Sequence, residues 1–479
     1  MDTKPASVAV TPRLGQWVSE LTLSAVPAEV VDHLKLCVLD SIGCGFYGAA
    51  QPWGKIASDV ATSFSGGGPS SLFGRTEKVS PPDAALANGT AIHGFEIDDA
   101  HVTSSLHPGA VTLPASVAVA EARAASGADL LTALAAGYEV GLRVGVCAGV
   151  AHSTSGYHVT GTVGAVGAAA AAARLLRLPS LQAAHALGIG ATQAAGLYAA
   201  RMGAMTKRFH AGRASQSGVI AAYLAEQGFT GSLDAIEAPF GGFMSTLRGQ
   251  WDAATILTGL GERWEIASVG LKAYAACASA HTTIDGVREL RSRGLNADNV
   301  ARLTIRVSKK SHINIGWPYS PAEVITAQMN GSYAAAVSLL DGDAFIDQYE
   351  EKRLADPTIL ALTSRIEFVH DPELDRGGAA KRHAVKIEAA QKDGTVMTTT
   401  VEQRRGSASH PMSVKEIEQK FRRLAGISLA PSAIDDLINV VCGLDREADL
   451  HRIGALMTTT APRADQPRVR HPATGISCS

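Results

Sequence analysis

The chain has 479 residues, 46% of them apolar and 18% charged, with a formal net charge of −2; that length accommodates two or three domains and at least one large core. A near-neutral balance with only short basic clusters (Lys207-Arg208, Lys309-Lys310, Arg404-Arg405) excludes the basic stripe expected of a nucleic-acid binder. The most apolar stretches, Val163–Leu176 and Leu134–Ala151, are interrupted by Arg174 and by Glu139 and Arg143, so neither offers the ~20 unbroken apolar residues of a membrane span. The opening MDTKPASVAVTPRLGQW has no charged start followed by an apolar run, which points to a cytoplasmic protein. Six cysteines at long, irregular spacings form no C-x-x-C pair, so buried reduced thiols are expected rather than a zinc ribbon or a redox site.

Taken in order, the first half reads as one helix after another. Val30–Tyr47 places Leu34, Val38, Leu39 and Ile42 at helical spacing, and Ala128–Val150 does the same with Leu130, Leu131, Leu134 and Tyr138. Helices are then expected over Gly161–Leu176, Leu181–Leu197 and Ser215–Gln227, rich in Gly and Ala and suited to burial on several sides. The run GTVGAVGAAAA completes no phosphate-loop pattern and follows no strand, so it is read as close helix packing. After about residue 267 the texture changes. Val300–Ser308, Arg365–His370, Ala384–Glu388 and Val396–Glu402 alternate as strands, with helices expected over His281–Arg293 and Ser332–Leu340. Helices return at Val414–Leu424 and Ser432–Leu444. The expected fold is therefore mainly α: a large all-helical domain, residues 1–267 plus 406–457, with a smaller α+β lid domain, 268–405, inserted into it. The Pro/Arg/Thr-rich stretch 458–479 is expected to be a disordered tail.

Four segments gather polar groups among small and apolar neighbours. In IHGFEIDDAH, a helical start would put His93, Glu96 and Ala100 on one face, and LHPG then sets His107 in a helix-terminating turn. His93 and Glu96 have the H-x-x-E spacing of a metal ligand pair, but a di-metal bundle uses that motif on two helices, and no metal is expected. In GYHVTGT, His158 falls at a helix N-terminus, where the partial positive charge lowers an imidazole pKa and attracts anions. In TKRFHAGR, Lys207, His210 and Arg213 stand before a small-residue helix, an arrangement that suits a carboxylate ligand as well as a surface patch. The fourth is ASAHTTID with His281, joined by NGSY with Tyr333; alone, these are a capping or core histidine and a core aromatic. Imidazoles and a lysine outnumbering acids favour a polyanionic substrate. No G-x-S-x-G elbow, ordered Ser-His-Asp set or dinucleotide fingerprint is present, which leaves general acid–base chemistry without a cofactor.

These segments, in this order, resemble the MmgE/PrpD family, which includes 2-methylcitrate dehydratase, cis-aconitate decarboxylase and epimerases of imino-dicarboxylates. The resemblance runs from about residue 10 to about residue 450 and is carried by LDSIGCGFYGA, AALANGTAIHGFEIDDAH, LHPGAV, GYHVTGTVG, TKRFHAGRASQSG, ASAHTTID and AQMNGSYAAAVSLLDG. It implies a helical domain with an inserted α+β lid, an active site between them, a homodimer, and a small di- or tricarboxylate as substrate. By motif it implies that His107, His158, Lys207 and Tyr333 are catalytic and that His281 is a lid-side histidine; with the cationic group of the TKRFHAGR segment, Glu96, Asp99, His210, Arg213 and His281 are expected to bind substrate. Where the family typically shows Asp-Phe-Asp-Asp-Thr, this chain has Glu96-Ile97-Asp98-Asp99-Ala100; the glutamate reaches further and the threonine hydroxyl is lost, which implies a changed substrate. A lyase acting by dehydration or decarboxylation is the leading expectation, an epimerase or isomerase of an amino- or imino-dicarboxylate the alternative. A helical binding or scaffold protein and an iron–sulfur hydratase complete the set; scattered cysteines do not favour the last.

Overall fold

The computed structural model describes residues 9–458 except 202–203, 247–250, 377 and 379–380. The expected tail, 458–479, lies outside the described residues but for Thr458. The helices of the first half are α1 (Val10–Glu20), α2 (Ala28–Ala50), α3 (Pro52–Ser65), α4 (Pro81–Ile92), α5 (Gly109–Ala122), α6 (Gly127–Thr154), α7 (Val159–Leu175), α8 (Ser180–Thr192) and α9 (Thr206–Glu226). A two-residue ladder, β1 (Ser70–Ser71) against β2 (Lys78–Val79), lies between α3 and α4.

The centre of the bundle is α7, buried from Val159 to Ala173 and enclosed by α5, α6, α8 and α9. Its glycines set the interhelical distances. A Cβ on Gly164 would lie 2.9 Å from Val111, and one on Gly167 would lie 2.8 Å from the Gly137 carbonyl. The glycine run is thus a packing surface, as its sequence suggests. By length and composition α6 could cross a membrane over Gly127–Gly149, which the sequence reading did not allow for, but 89% of its most apolar window is buried inside the protein. Its charged pair Glu139–Arg143 is buried at 2.6 Å, and the guanidinium also caps the carbonyls of Ile256, Thr258, Gly259 and Arg263. It is a core helix.

A second, smaller region is mixed α and β. Four strands, β3 (Val300–Val307), β4 (Ile366–His370), β5 (Val385–Gln391) and β6 (Val396–Val401), form one sheet in the order β4-β3-β5-β6. The β3–β4 pair is parallel and the other two are antiparallel. Helices His281–Ser292 and Gly331–Asp341 pack against each other and against this sheet. Alternating burial along β3 and β5 gives the sheet one packed and one wet face. The chain then returns to helices, Val414–Ala425, Pro431–Cys442 and His451–Thr458. The first of these packs on α2, where buried Lys420 pairs with Asp40 at 2.5 Å and donates to the Ile97 carbonyl. A C-terminal helix thereby fixes the loop that carries Glu96 and Asp98.

Candidate active site

A cavity of about 140 Å³ opens between the helical bundle and the mixed region. From the bundle it is lined by Glu96, His101, His107, His158 and Lys207, and from the other side by Lys272, Cys277, Lys310, Asn314, Arg382 and His383.

Local structure differs from the sequence expectation at the Glu96 segment. Helix α4 ends at Ile92, and the chain continues in tight turns, so His93, Glu96 and Ala100 share no helical face. Glu96 has φ 58, a left-handed conformation that costs a non-glycine residue roughly 1–2 kcal/mol. The strain brings its carboxylate between two ammonium groups. Lys207 donates to Oε1, and Lys272 to Oε2 at 3.4 Å. Lys272 also stands 3.6 Å from Asp98 Oδ1. Burial works against charge on Glu96 and Lys272, yet the opposite charges win: the lysines, Lys207 foremost, hold Glu96 well below the usual carboxylate range, and Glu96 and Asp98 hold Lys272 above the usual lysine value.

The other oxygen of Asp98 organises the imidazoles. His93 Nδ1 donates to Asp98 Oδ2 at 2.6 Å, and His107 Nδ1 lies 3.2 Å from the same oxygen. Burial opposes the Asp98 charge, but His107, His93 and Lys272 together hold its carboxyl well below the usual range. His93 is pushed down to about 4 by burial, against the pull of Asp98, so it is neutral with its proton on Nδ1. Its ring lies between the other two, edge-on to His107 at 4.8 Å and stacked on His158 at 5.3 Å. His158 caps α7 as expected, meets His210 through Nδ1 at 3.1 Å, and is held neutral chiefly by burial, with His93 and Lys207 adding to the effect.

His93, Asp98 and His107 bring three ligand-type atoms within 4.8 Å of one another. The two imidazole nitrogens face one carboxylate oxygen, His93 in a hydrogen bond at 2.6 Å and His107 in an ion-pair contact at 3.2 Å, rather than converging with it on a common point about 2 Å from each. The second Asp98 oxygen already faces the Lys272 ammonium.

Other expected site residues lie elsewhere or act indirectly. His107 precedes a helix instead of ending one, because Pro108 is the N-cap of α5. Asp99 is fully buried, accepting from the Gly109 N–H at 3.0 Å and the Tyr138 hydroxyl at 2.8 Å; it anchors the start of α5 and so positions His107. Burial first, and the charge of Asp98 second, push its carboxyl up to about 8. The TKRFHAGR segment stands inside α9, which starts at Thr206 rather than Ser215. Lys207 faces inward, His210 is a neighbouring side chain, and Arg213, about 120° further round, is exposed and bonded to Gln216. Tyr333 is also not part of the lining. Its hydroxyl donates to the Gln348 carbonyl at 2.7 Å and its ring packs between Tyr319 and Tyr349. His281 is fully buried one layer behind Cys277–Ser279, with Nε2 donating to the Ala276 carbonyl at 3.2 Å.

The sequence reading passed over Lys272 and His383. A single lysine in the apolar segment VGLKAYAACASA is the signal that would have found the first; nothing in RHAV marks the second.

Residues 12–254 match the model of the MmgE/PrpD N-terminal domain, and 274–444 that of the MmgE/PrpD C-terminal domain. The chain belongs to the MmgE/PrpD family. Among curated relatives, the cis-aconitate decarboxylase-like protein oryM of Aspergillus oryzae is 30% identical over 94% of this chain and 97% of its own length. The cis-aconitate decarboxylase of Aspergillus terreus is 30% identical over 93% of this chain and 95% of its own length. The cis-aconitate decarboxylase of Homo sapiens is 28% identical over 98% of this chain and 99% of its own. This is an MmgE/PrpD enzyme with decarboxylase relatives, and its fold is the mainly helical one with a smaller mixed region.

Proposed function

We propose that the protein is a lyase that breaks a bond next to a carboxylate of a small di- or tricarboxylic acid, with decarboxylation of an unsaturated tricarboxylate as the leading case. The observation that carries this is the pair of ammonium groups, Lys207 and Lys272, held by one carboxylate in the same cleft as His107 and His158. In decarboxylation the C–CO₂ bond breaks, and its electron pair passes into the π system conjugated with a neighbouring carboxylate. The paired ammonium groups stabilise the charge that develops there. His107 or Lys207 then gives a proton to carbon and recovers it from solvent. In dehydration, neutral His158 removes the proton α to the carboxylate, and the β-hydroxide leaves with a proton from His107. Every proton transfer uses this chain's own side chains. The decarboxylase relatives support the first course.

The test is proton NMR of cis-aconitate, citrate, 2-methylcitrate and amino-dicarboxylates incubated with the enzyme in deuterated water. A lyase yields CO₂ or a new alkene. Deuterium exchange into recovered substrate with neither product would replace the lyase by an epimerase.

A further inference from the structure

The mixed region holds a cation that the chemistry above does not use. Arg404 follows β6 and is almost completely buried. All three guanidinium nitrogens, Nε, Nη1 and Nη2, lack a hydrogen-bond partner among the described residues. Burial pulls its pKa down, but only to about 10, so the group is charged at neutral pH. A carboxylate close enough to feel it, Asp285, is committed elsewhere: it accepts from the Tyr274 hydroxyl at 2.6 Å and from the Arg405 N–H at 3.0 Å. A buried guanidinium with five donors and no acceptor is several kcal/mol unfavourable.

Its surroundings connect it to the cleft. A Cβ on Gly270 would lie 2.8 Å from Arg404 Nη2, and Gly270 is paired through both backbone hydrogen bonds with Ala100, a cleft residue. The Arg404 charge also acts on Cys277 and His383, which line the same cleft. His383 is half-buried and held neutral chiefly by desolvation, and its Nδ1 has no partner among the described residues. Behind them, His281 has its Nε2 proton on the Ala276 carbonyl, so it adds no charge beside Arg404. The cleft wall that carries Cys277 and His383 therefore backs onto one unused cation, the Arg404 guanidinium, which stands directly behind those lining residues.

We propose that Arg404 and His383 form a second anion subsite, which takes a carboxylate of the substrate remote from the reacting carbon. A planar, forked guanidinium matches a carboxylate in two parallel hydrogen bonds, and the neutral imidazole supplies a third donor. The subsite selects a tricarboxylate over a dicarboxylate. This rests on the carboxylate-lyase reading, in which Lys207 and Lys272 meet the carboxylate beside the reacting carbon and Arg404 with His383 meets a second one.

The experiment is calorimetric binding of two unreactive probes, tricarballylate and glutarate, to wild type, Arg404→Gln, Arg404→Lys and His383→Asn, each checked by thermal unfolding. Wild type is expected to bind tricarballylate more tightly than glutarate by about 30-fold, the scale of one buried charged hydrogen-bonded pair. Arg404→Gln removes that preference while glutarate binding is retained. Arg404→Lys, which keeps the charge without the fork, and His383→Asn each reduce it in part, and these two decide the matter should Arg404→Gln fail to fold. An unchanged preference in folded variants would overturn the subsite and leave the lyase intact. Wild type binding neither probe would instead count against the carboxylate reading itself.

Discussion

The two walls of the cleft are built on opposite principles. The two carboxylates of the helical side are matched: Glu96 against Lys207, Asp98 against His93 and His107, and both against Lys272 from across the cleft. On the mixed α/β side, Arg404 and the Nδ1 atoms of His281 and His383 are buried with no partner among the described residues. A charge paired with its opposite is held in place for chemistry, whereas a buried guanidinium with no acceptor is open to an anionic ligand. The contrast suggests that reaction and recognition are divided between the two regions.

Substitutions on the helical wall break that division most severely. Lys207→Met and His107→Asn are each expected to lower kcat by about 10³-fold, measured on whichever acid the NMR panel identifies, with the circular dichroism spectrum unchanged. Comparable loss from an Arg404 substitution in kcat rather than in binding would erase the distinction between the walls. Glu96→Gln leaves two buried ammonium groups facing a neutral amide, and should destabilise by about 3 kcal/mol in denaturant titration. Tyr333→Phe loses one buried hydrogen bond, worth about 1 kcal/mol, and should leave kcat within about twofold; a far larger kcat effect would return Tyr333 to the reaction.

The pH dependence sharpens the comparison within the helical wall. His93 drops from an ordinary 6.5 to about 4, so its contribution to stability is complete above 6.5 and lost as pH falls toward 4. Asp99 has the opposite sign. Its carboxyl rises from 3.8 to about 8, so the contribution of its protonated form is complete below 3.8 and lost as pH rises to 8. Asp99→Asn should therefore flatten the decline in stability between pH 4 and 8 without altering the acid limb, as read from unfolding midpoints across pH.

Much of this was legible in the sequence because the signal was local. Helical spacing located α2, α6 and α7, alternation located all four strands of the main sheet, and Gly164 and Gly167 were rightly read as packing residues. His107, His158, Lys207 and Glu96 do share one cleft. What failed was orientation, which depends on tertiary contacts. A three-residue spacing suggested that His93 and Glu96 share a helix face, but the helix stops at Ile92 and a left-handed Glu96 redirects the chain. Arg213 looked like a partner of Lys207 until an earlier start to α9 turned it outward. Tyr333 and His281 lie near the cleft in sequence order but spend their polar atoms on the Gln348 and Ala276 carbonyls. Lys272 was passed over and Arg404 was counted only within a short basic cluster, although it is buried, because a lone cation in an apolar segment, or one of two adjacent arginines, shows its significance only when its neighbours are known.

The most direct test of the central claim follows deuterium from solvent into carbon. Wild type, Lys207→Met and the double variant Lys207→Met/His107→Asn would each be incubated with the acid panel in deuterated water and read by NMR. For decarboxylation, the leading case, the expected result is a product carrying one solvent-derived deuterium from wild type, formed at least about 10³-fold more slowly by either variant. Full deuterium incorporation by the double variant at the wild-type rate would contradict it, since the proton would then travel by some route other than this cleft.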